Sequence, residues 1–284
     1  MTKVALFLRE IRIEHTLFAL PFAYVGAFMA AHGVPSWSSL GWITLAVLGA
    51  RTAAMAANRF LDRDIDARNP RTARRAVASG ALSPASMVWA IVIGLGVLLW
   101  AAWMLNPLCV KLMPIAVLLL LVYPLCKRFT WLVHFVLGAV DALAPLGAYI
   151  GVAGTVTWPA IFLFLAVTIW VAGFDVIYAL MDVRVDRAQG LRSLPAHFGE
   201  STGRILPGLL HSAMVVLLAL AGFIDVAGYA YYLGVVAAAA LVLYEDRLFD
   251  RAGNVFVLNE RIFIANMVFS IVFLVTTAAG YAFR

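Results

Sequence analysis

Residues 48–70 read LGARTAAMAANRFLDRDIDARNP. The first ten are those of an apolar helix. The next thirteen, NRFLDRDIDARNP, carry Asp62, Asp64 and Asp66 with Arg59, Arg63 and Arg68. Asn58, Asp62 and Asp66 are spaced by four, so they share one helix face. A related stretch, FDVIYALMDVRVD, occupies residues 174–186. There Asp175, Asp182 and Asp186 are spaced by seven and four, again one face.

The rest of the chain says what kind of helix ends these are. Of its 284 residues 64% are hydrophobic and 13% charged, with a mean hydropathy of +0.96. Soluble domains carry about 25% charged residues. The composition predicts an all-α, polytopic membrane protein, and unbroken runs such as LLLLVY argue against a barrel. Nine spans are read at about 16–31, 40–62, 86–105, 108–124, 131–151, 158–181, 205–223, 227–245 and 262–282. Pro21 in the first span, and the spans that follow, argue against a cleaved leader. Cys109 and Cys126 stand about 25 Å apart along one helix, too far to bond.

Of the 21 Lys and Arg, nearly all fall before span one or in every second loop; Lys111 and Arg284 face the other side. Positive loops mark the cytoplasmic side. The N-terminus is therefore expected inside, and the net charge of +6 reflects topology rather than nucleic acid. Spans two and six both end in spaced carboxylates, which suggests one domain over residues 1–284, built of two weakly related four-helix halves plus one helix.

Facing carboxylates repel unless a cation joins them. Oxygen-only ligands favour Mg²⁺ or Ca²⁺, and Mg²⁺ characteristically bridges carboxylates to phosphate. The surrounding Arg71, Arg74, Arg75, Lys127, Arg128 and Arg192 suit an anion with phosphate oxygens. Acids, bases and Mg²⁺ at a membrane cavity imply a lipid-linked diphosphate.

The N-x-x-x-D-x-x-x-D pattern, the second aspartate stretch and YPLCKRFT at 123–130 resemble the UbiA superfamily of membrane prenyltransferases over nearly the whole chain. EHTLFALPFA, NRFLDRDIDARNPRTA and GFDVIYALMDVRVDRAQGLRSLPAHFG are most similar to its 4-hydroxybenzoate polyprenyltransferase-like group, which includes the prenyltransferase of the futalosine route to menaquinone. This resemblance implies a nine-helix bundle in a membrane, such as the bacterial inner membrane, with its site at the cytoplasmic face. It implies Mg²⁺-dependent transfer of a polyprenyl chain from polyprenyl diphosphate to an aromatic acceptor such as 4-hydroxybenzoate or 1,4-dihydroxy-6-naphthoate. The sequence departs from the family at Arg59, where Asp is common, at Met181, at Arg184 and in RAVASG (75–80).

On that chemistry Asp62, Asp66, Asp182 and Asp186 hold Mg²⁺, and Asn58 supplies an oxygen ligand or a hydrogen bond. Arg71, Arg75, Lys127, Arg128 and Arg192 hold the diphosphate. Arg51 precedes Asn58 by seven residues, about 10 Å deeper on the same face. Asp175 lies seven before Asp182, at similar depth, so Arg51 and Asp175 are expected to pair, to flank the acceptor, or both; Asp175 would orient or deprotonate a phenol and Tyr178 would hydrogen-bond there. His15, Asp141 and the prenyl-tunnel candidates Phe18 and Phe22 are left with open roles, and Asn266 is expected to join helices. The alternatives are UbiA-type transfer to haem, a chlorophyll precursor or a lipid, and an ion-coupled transporter, whose sites usually lie near the midplane.

Overall fold

Proline and small polar residues set where the helices begin. Ser83 and Asn106 accept hydrogen bonds from the free amides of the turn that follows, with Pro84 and Pro107 in that first turn. Proline has no N–H to leave unpaired there. Ser36 and Asn254 cap two further helices in the same way. The computed structural model describes residues 3–11, 16–251 and 253–283. Among them every regular element is a helix: α1 (Lys3–Glu10), α2 (Thr16–Ala31), α3 (Trp37–Leu61), α4 (Arg63–Arg68), α5 (Pro84–Leu105), α6 (Pro107–Cys126), α7 (Val133–Ala153), α8 (Trp158–Ala179), α9 (Val183–Ala188), α10 (Leu194–Phe198), α11 (Glu200–Ile224), α12 (Tyr229–Arg251) and α13 (Val255–Ala282). His15, Arg12 and the side chain of Phe18 lie outside the described residues.

Seven of these, α3, α5, α6, α7, α8, α11 and α13, are long and apolar enough to cross a membrane. The last two helices reach further than expected, α12 to Arg251 and α13 back to Val255. Apolar runs mark where a helix is buried or in lipid, but the helix continues through Glu245, Asp246 and Arg247 and starts before Asn259, Glu260 and Arg261.

Small residues let the backbones touch. A methyl group placed on Gly138 of α7 would fall 2.0 Å from the Thr168 carbonyl oxygen of α8, and one on Gly49 of α3 would fall 2.6 Å from that of Gly94 on α5. Around these contacts the core is aromatic. The Phe22 ring lies 4.7 Å from Trp170 and 5.6 Å from Phe273. Phe22 therefore packs the core and lines neither of the two cavities described below.

One buried polar cluster pins α8, α11, α12 and α13 together. Trp170 Nε1 donates to Asn266 Oδ1, and Asn266 Nδ2 donates to Glu245 Oε1 at 2.7 Å. His211 Nε2 faces the Trp170 carbonyl at 3.0 Å, so it carries hydrogen, while Nδ1 meets Glu245 Oε2 at 2.5 Å. Asn266 thus joins helices as its sequence position suggests. Glu245→Ala strips both His211 and Asn266 of a partner in a dry core. A loss on the order of 3 kcal/mol is expected, read as a lower unfolding midpoint in detergent; an unchanged midpoint would show that the cluster contributes little.

Candidate active site

Each acidic motif straddles a break between a long helix and a six-residue helix. α3 ends at Leu61, and Asp62 (φ −95°, ψ 3°) joins it to α4. α8 ends at Ala179, and Asp182 (φ −111°, ψ 1°) precedes α9. Asp66 N–H donates to the Asp62 carbonyl and Asp186 N–H to that of Asp182, both at 2.8 Å. The four-residue relation of the carboxylates thus survives the break, although Asp175 and Asp182 do not share one continuous helix.

A cavity of about 560 Å³ receives both motifs. Its wall includes Asn58, Asp62, Asp66, Asp175, Tyr178, Asp182, Asp186, Arg51, Arg71, Arg75 and Lys127. Arg128 and Arg192 are exposed and outside this wall. Arg128 lies 3.6 Å from Asp62 Oδ1 and donates to the Leu61 carbonyl. Arg192 donates from its backbone to the Lys127 carbonyl and from its side chain to that of Phe129. Arg74 is exposed as well.

Among the described residues no three acidic, His or Cys side chains stand placed to hold one ion. Each carboxylate instead has its own partner. Lys127 Nζ donates to Asp62 Oδ2 at 2.6 Å. Arg75 Nη1 reaches both oxygens of Asp66 at 2.7 and 2.8 Å. Arg71 grips Asp182 with Nε and Nη2, donates from Nη1 to the Tyr178 hydroxyl and lies over its ring. Asn69 adds a donor to Asp182, and Ser193 one to Asp186. Burial pushes the Asp62 carboxyl above its usual range, against the pull of Lys127. Burial also raises Asp186, outweighing the Ser193 hydrogen bond. At Asp182 burial again acts upward, but the Arg71 fork and Asn69 outweigh it and hold the carboxyl below its usual range.

Donor-only Arg59 and acceptor-only Asp62 fix the amide of Asn58. Its oxygen accepts from Arg59 Nη1 at 2.9 Å and its nitrogen donates to Asp62 at 3.1 Å. Arg59 is buried and answers Glu10 of α1, whose backbone carbonyl accepts from Nε and whose Oε1 lies 3.5 Å away. Glu10 Oε2 also accepts from Ala76 N–H, in the loop that carries Arg71 and Arg75.

The deeper pairing differs from the expected one. Arg51 Nη1 donates to Asp141 Oδ1 of α7 at 2.8 Å, not to Asp175. Equal depth along two helices does not make two residues neighbours, and α7 supplies the nearer carboxylate. Asp175 instead meets His134 Nδ1 at 2.6 Å. Leu194 N–H donates to His134 Nε2, so the hydrogen sits on Nδ1 and is given to Asp175. Sequence reasoning passed over His134, Asn69 and Ser193. A lone His at a helix start and single small polar residues in loops carry no spacing signal.

A second cavity, about 260 Å³, runs between α3, α5, α6 and α7, with Arg51 and Asp141 in its wall too. Its other lining is almost wholly apolar, including Leu98, Leu112, Met113 and Leu120.

The chain is 34% identical over 223 residues to 4-hydroxybenzoate octaprenyltransferase of Alkalilimnicola ehrlichii, covering 78% of this chain and 76% of that one. It is 31% identical over 253 residues to the enzyme of that name from Shewanella sediminis, covering 87% of each. The apo structure of a UbiA homolog from Aeropyrum pernix K1 superposes with a TM-score of 0.81 at 31% identity, over 92% of this chain and 98% of that one. A UbiA homolog from Archaeoglobus fulgidus, bound to GPP and Mg²⁺, shares the fold with a TM-score of 0.73 at 19% identity, over 96% of this chain and 99% of that one. The profile of the UbiA prenyltransferase family matches residues 19–267, and with two aspartate motifs facing one cavity among membrane-length helices, the chain belongs to that family of membrane prenyltransferases.

Proposed function

We propose that this chain moves a polyprenyl group from polyprenyl diphosphate to the ring of an aromatic quinone precursor, 4-hydroxybenzoate or 1,4-dihydroxy-6-naphthoate, and releases diphosphate. The observation that carries this is the chamber in which four motif carboxylates meet Arg71, Arg75 and Lys127. Mg²⁺ fits the donor set: the motif carboxylates are all oxygen ligands, and Asp62 Oδ1 is buried with no hydrogen bond. Asp62, Asp66, Asp182 and Asp186 would hold it, and when bound it supplies Lewis-acid stabilisation of the diphosphate.

Arg71, Arg75 and Lys127 turn from their carboxylates to phosphate oxygens and take up the charge that develops as the prenyl C–O bond breaks. The apolar wall at Val171, Phe174 and Phe263 excludes water from the allylic cation. The ring attacks that cation, a C–C bond forms, and the displaced ring proton leaves through Asp175, which His134 holds in place. The second cavity receives apolar chain. Arg51 faces the acceptor. In this reading all nine long helices span the membrane, the N-terminus and the chamber lie at the cytoplasmic face, and the matched breaks at Asp62 and Asp182 are the remnant of two related halves in one domain.

The test is a prenylation assay in membranes holding the full chain, with geranyl diphosphate, Mg²⁺ and the two acceptors in parallel. A prenylated product from one acceptor, dependent on Mg²⁺, is expected. Product from neither, with folded protein, would overturn the acceptor class; retention of intact diphosphate with every acceptor would overturn prenyl transfer itself.

A further inference from the structure

Arg51 and Asp141 belong to the walls of both cavities, so the pair sits where the polar chamber meets the apolar one. The 2.8 Å contact pairs Arg51 with Asp141, while Arg71, Arg75 and Lys127 are engaged by motif carboxylates. Arg51 is not fully satisfied there, because its Nε–H is buried without a hydrogen-bond partner. Asp175 lines the same chamber, so Arg51 shares its wall with two carboxylates, Asp141 and Asp175, and His134, whose Nε2 accepts from Leu194 N–H, is engaged with Asp175. A negatively charged group entering beside Arg51 must compete with Asp141 for it.

We infer that Asp141 is a specificity-determining residue. As the resident counter-ion of Arg51, it removes the advantage that a carboxylate on the acceptor ring would otherwise have, and it opens the site to uncharged phenols. The inference rests on the aromatic-acceptor reading above. Specificity is a difference between two affinities, and an opposed charge lowers one of them selectively. The wild-type enzyme is expected to use 4-hydroxybenzoate and its methyl ester with kcat/KM values within about threefold of each other. Asp141→Asn keeps an oxygen for Arg51 Nη1 but removes the charge. It is expected to shift the acid-to-ester ratio of kcat/KM at least about tenfold toward the acid, through KM, as a lost charge competitor requires.

A purely structural role for Asp141 would scale both acceptors together and leave that ratio fixed. An unchanged ratio, or one that moves toward the ester, overturns the inference. Isothermal titration of the wild-type protein with each compound, in the presence of Mg²⁺ and inorganic diphosphate, gives a second reading that needs neither turnover nor a folded variant. Comparable affinities support the inference; acid binding at least about tenfold tighter than ester, or binding of neither, overturns it. If the wild type prenylates neither compound, the acceptor reading falls on that result alone, and the titration still decides the role of Asp141.

Discussion

Asp62→Ala and Asp182→Ala are each expected to lower turnover with polyprenyl diphosphate by about a thousandfold or more. One preorganised electrostatic contact to developing charge is typically worth 10²–10³ in rate, and each of these residues organises several. Asp62 collects Lys127 and Asn58, and Asp182 collects Arg71 and Asn69. Loss of either leaves a cation without its counter-ion and removes one of the carboxylates proposed to hold Mg²⁺. Initial rates measured across a Mg²⁺ titration check this. The Asn variants keep shape and hydrogen-bond acceptors but lose charge, so they separate ligand charge from packing. Turnover within tenfold of wild type for both Ala variants would remove the motifs from the reaction.

For Arg71→Ala a drop of about a hundredfold in kcat/KM for polyprenyl diphosphate is expected, and Arg71→Lys should recover less than tenfold of it. The guanidinium uses three of its nitrogens at once, on both Asp182 oxygens and on the Tyr178 hydroxyl, with its central carbon 5.3 Å from the centre of the Tyr178 ring. An ammonium keeps the charge but has neither the fork nor the flat face. Arg192→Ala is the contrasting case. Its exposed side chain donates to the Phe129 carbonyl, so a change of less than about threefold is expected by the scale of exposed contacts. The two variants compared in one kinetic assay settle whether basic residues act by belonging to the chamber or merely by raising local charge; equal losses would favour the second.

The sequence carries the parts of this site that have a period. Asn58, Asp62 and Asp66 are legible because a helix puts every fourth residue on one face, and that relation is kept by the Asp66-to-Asp62 backbone bond. The helices themselves are legible as apolar runs between proline and glycine. What fails to show is lateral adjacency. A buried Arg51 visibly needs a partner, yet nothing in the spacing separates Asp175 on α8 from Asp141 on α7, 90 residues from Arg51 along the chain. His134 is 41 residues from Asp175, and Ser193 and Asn69 act from loops where no repeat marks them. Arg59 looks like a lost acid until Glu10 is seen beside it.

That last pair has a consequence for anyone who recombines this enzyme with its kin. Glu10 lies upstream of residues 19–267, the span by which the family is recognised. A chain begun at residue 19 would lack the carboxylate that serves Arg59 and the Ala76 amide. A chimera that imported an aspartate at position 59 while keeping Glu10 would set two acids face to face in a buried place, beneath Asn58. Positions 10 and 59 therefore have to be inherited as one unit, and the smallest transplantable piece of this site begins outside the recognised domain.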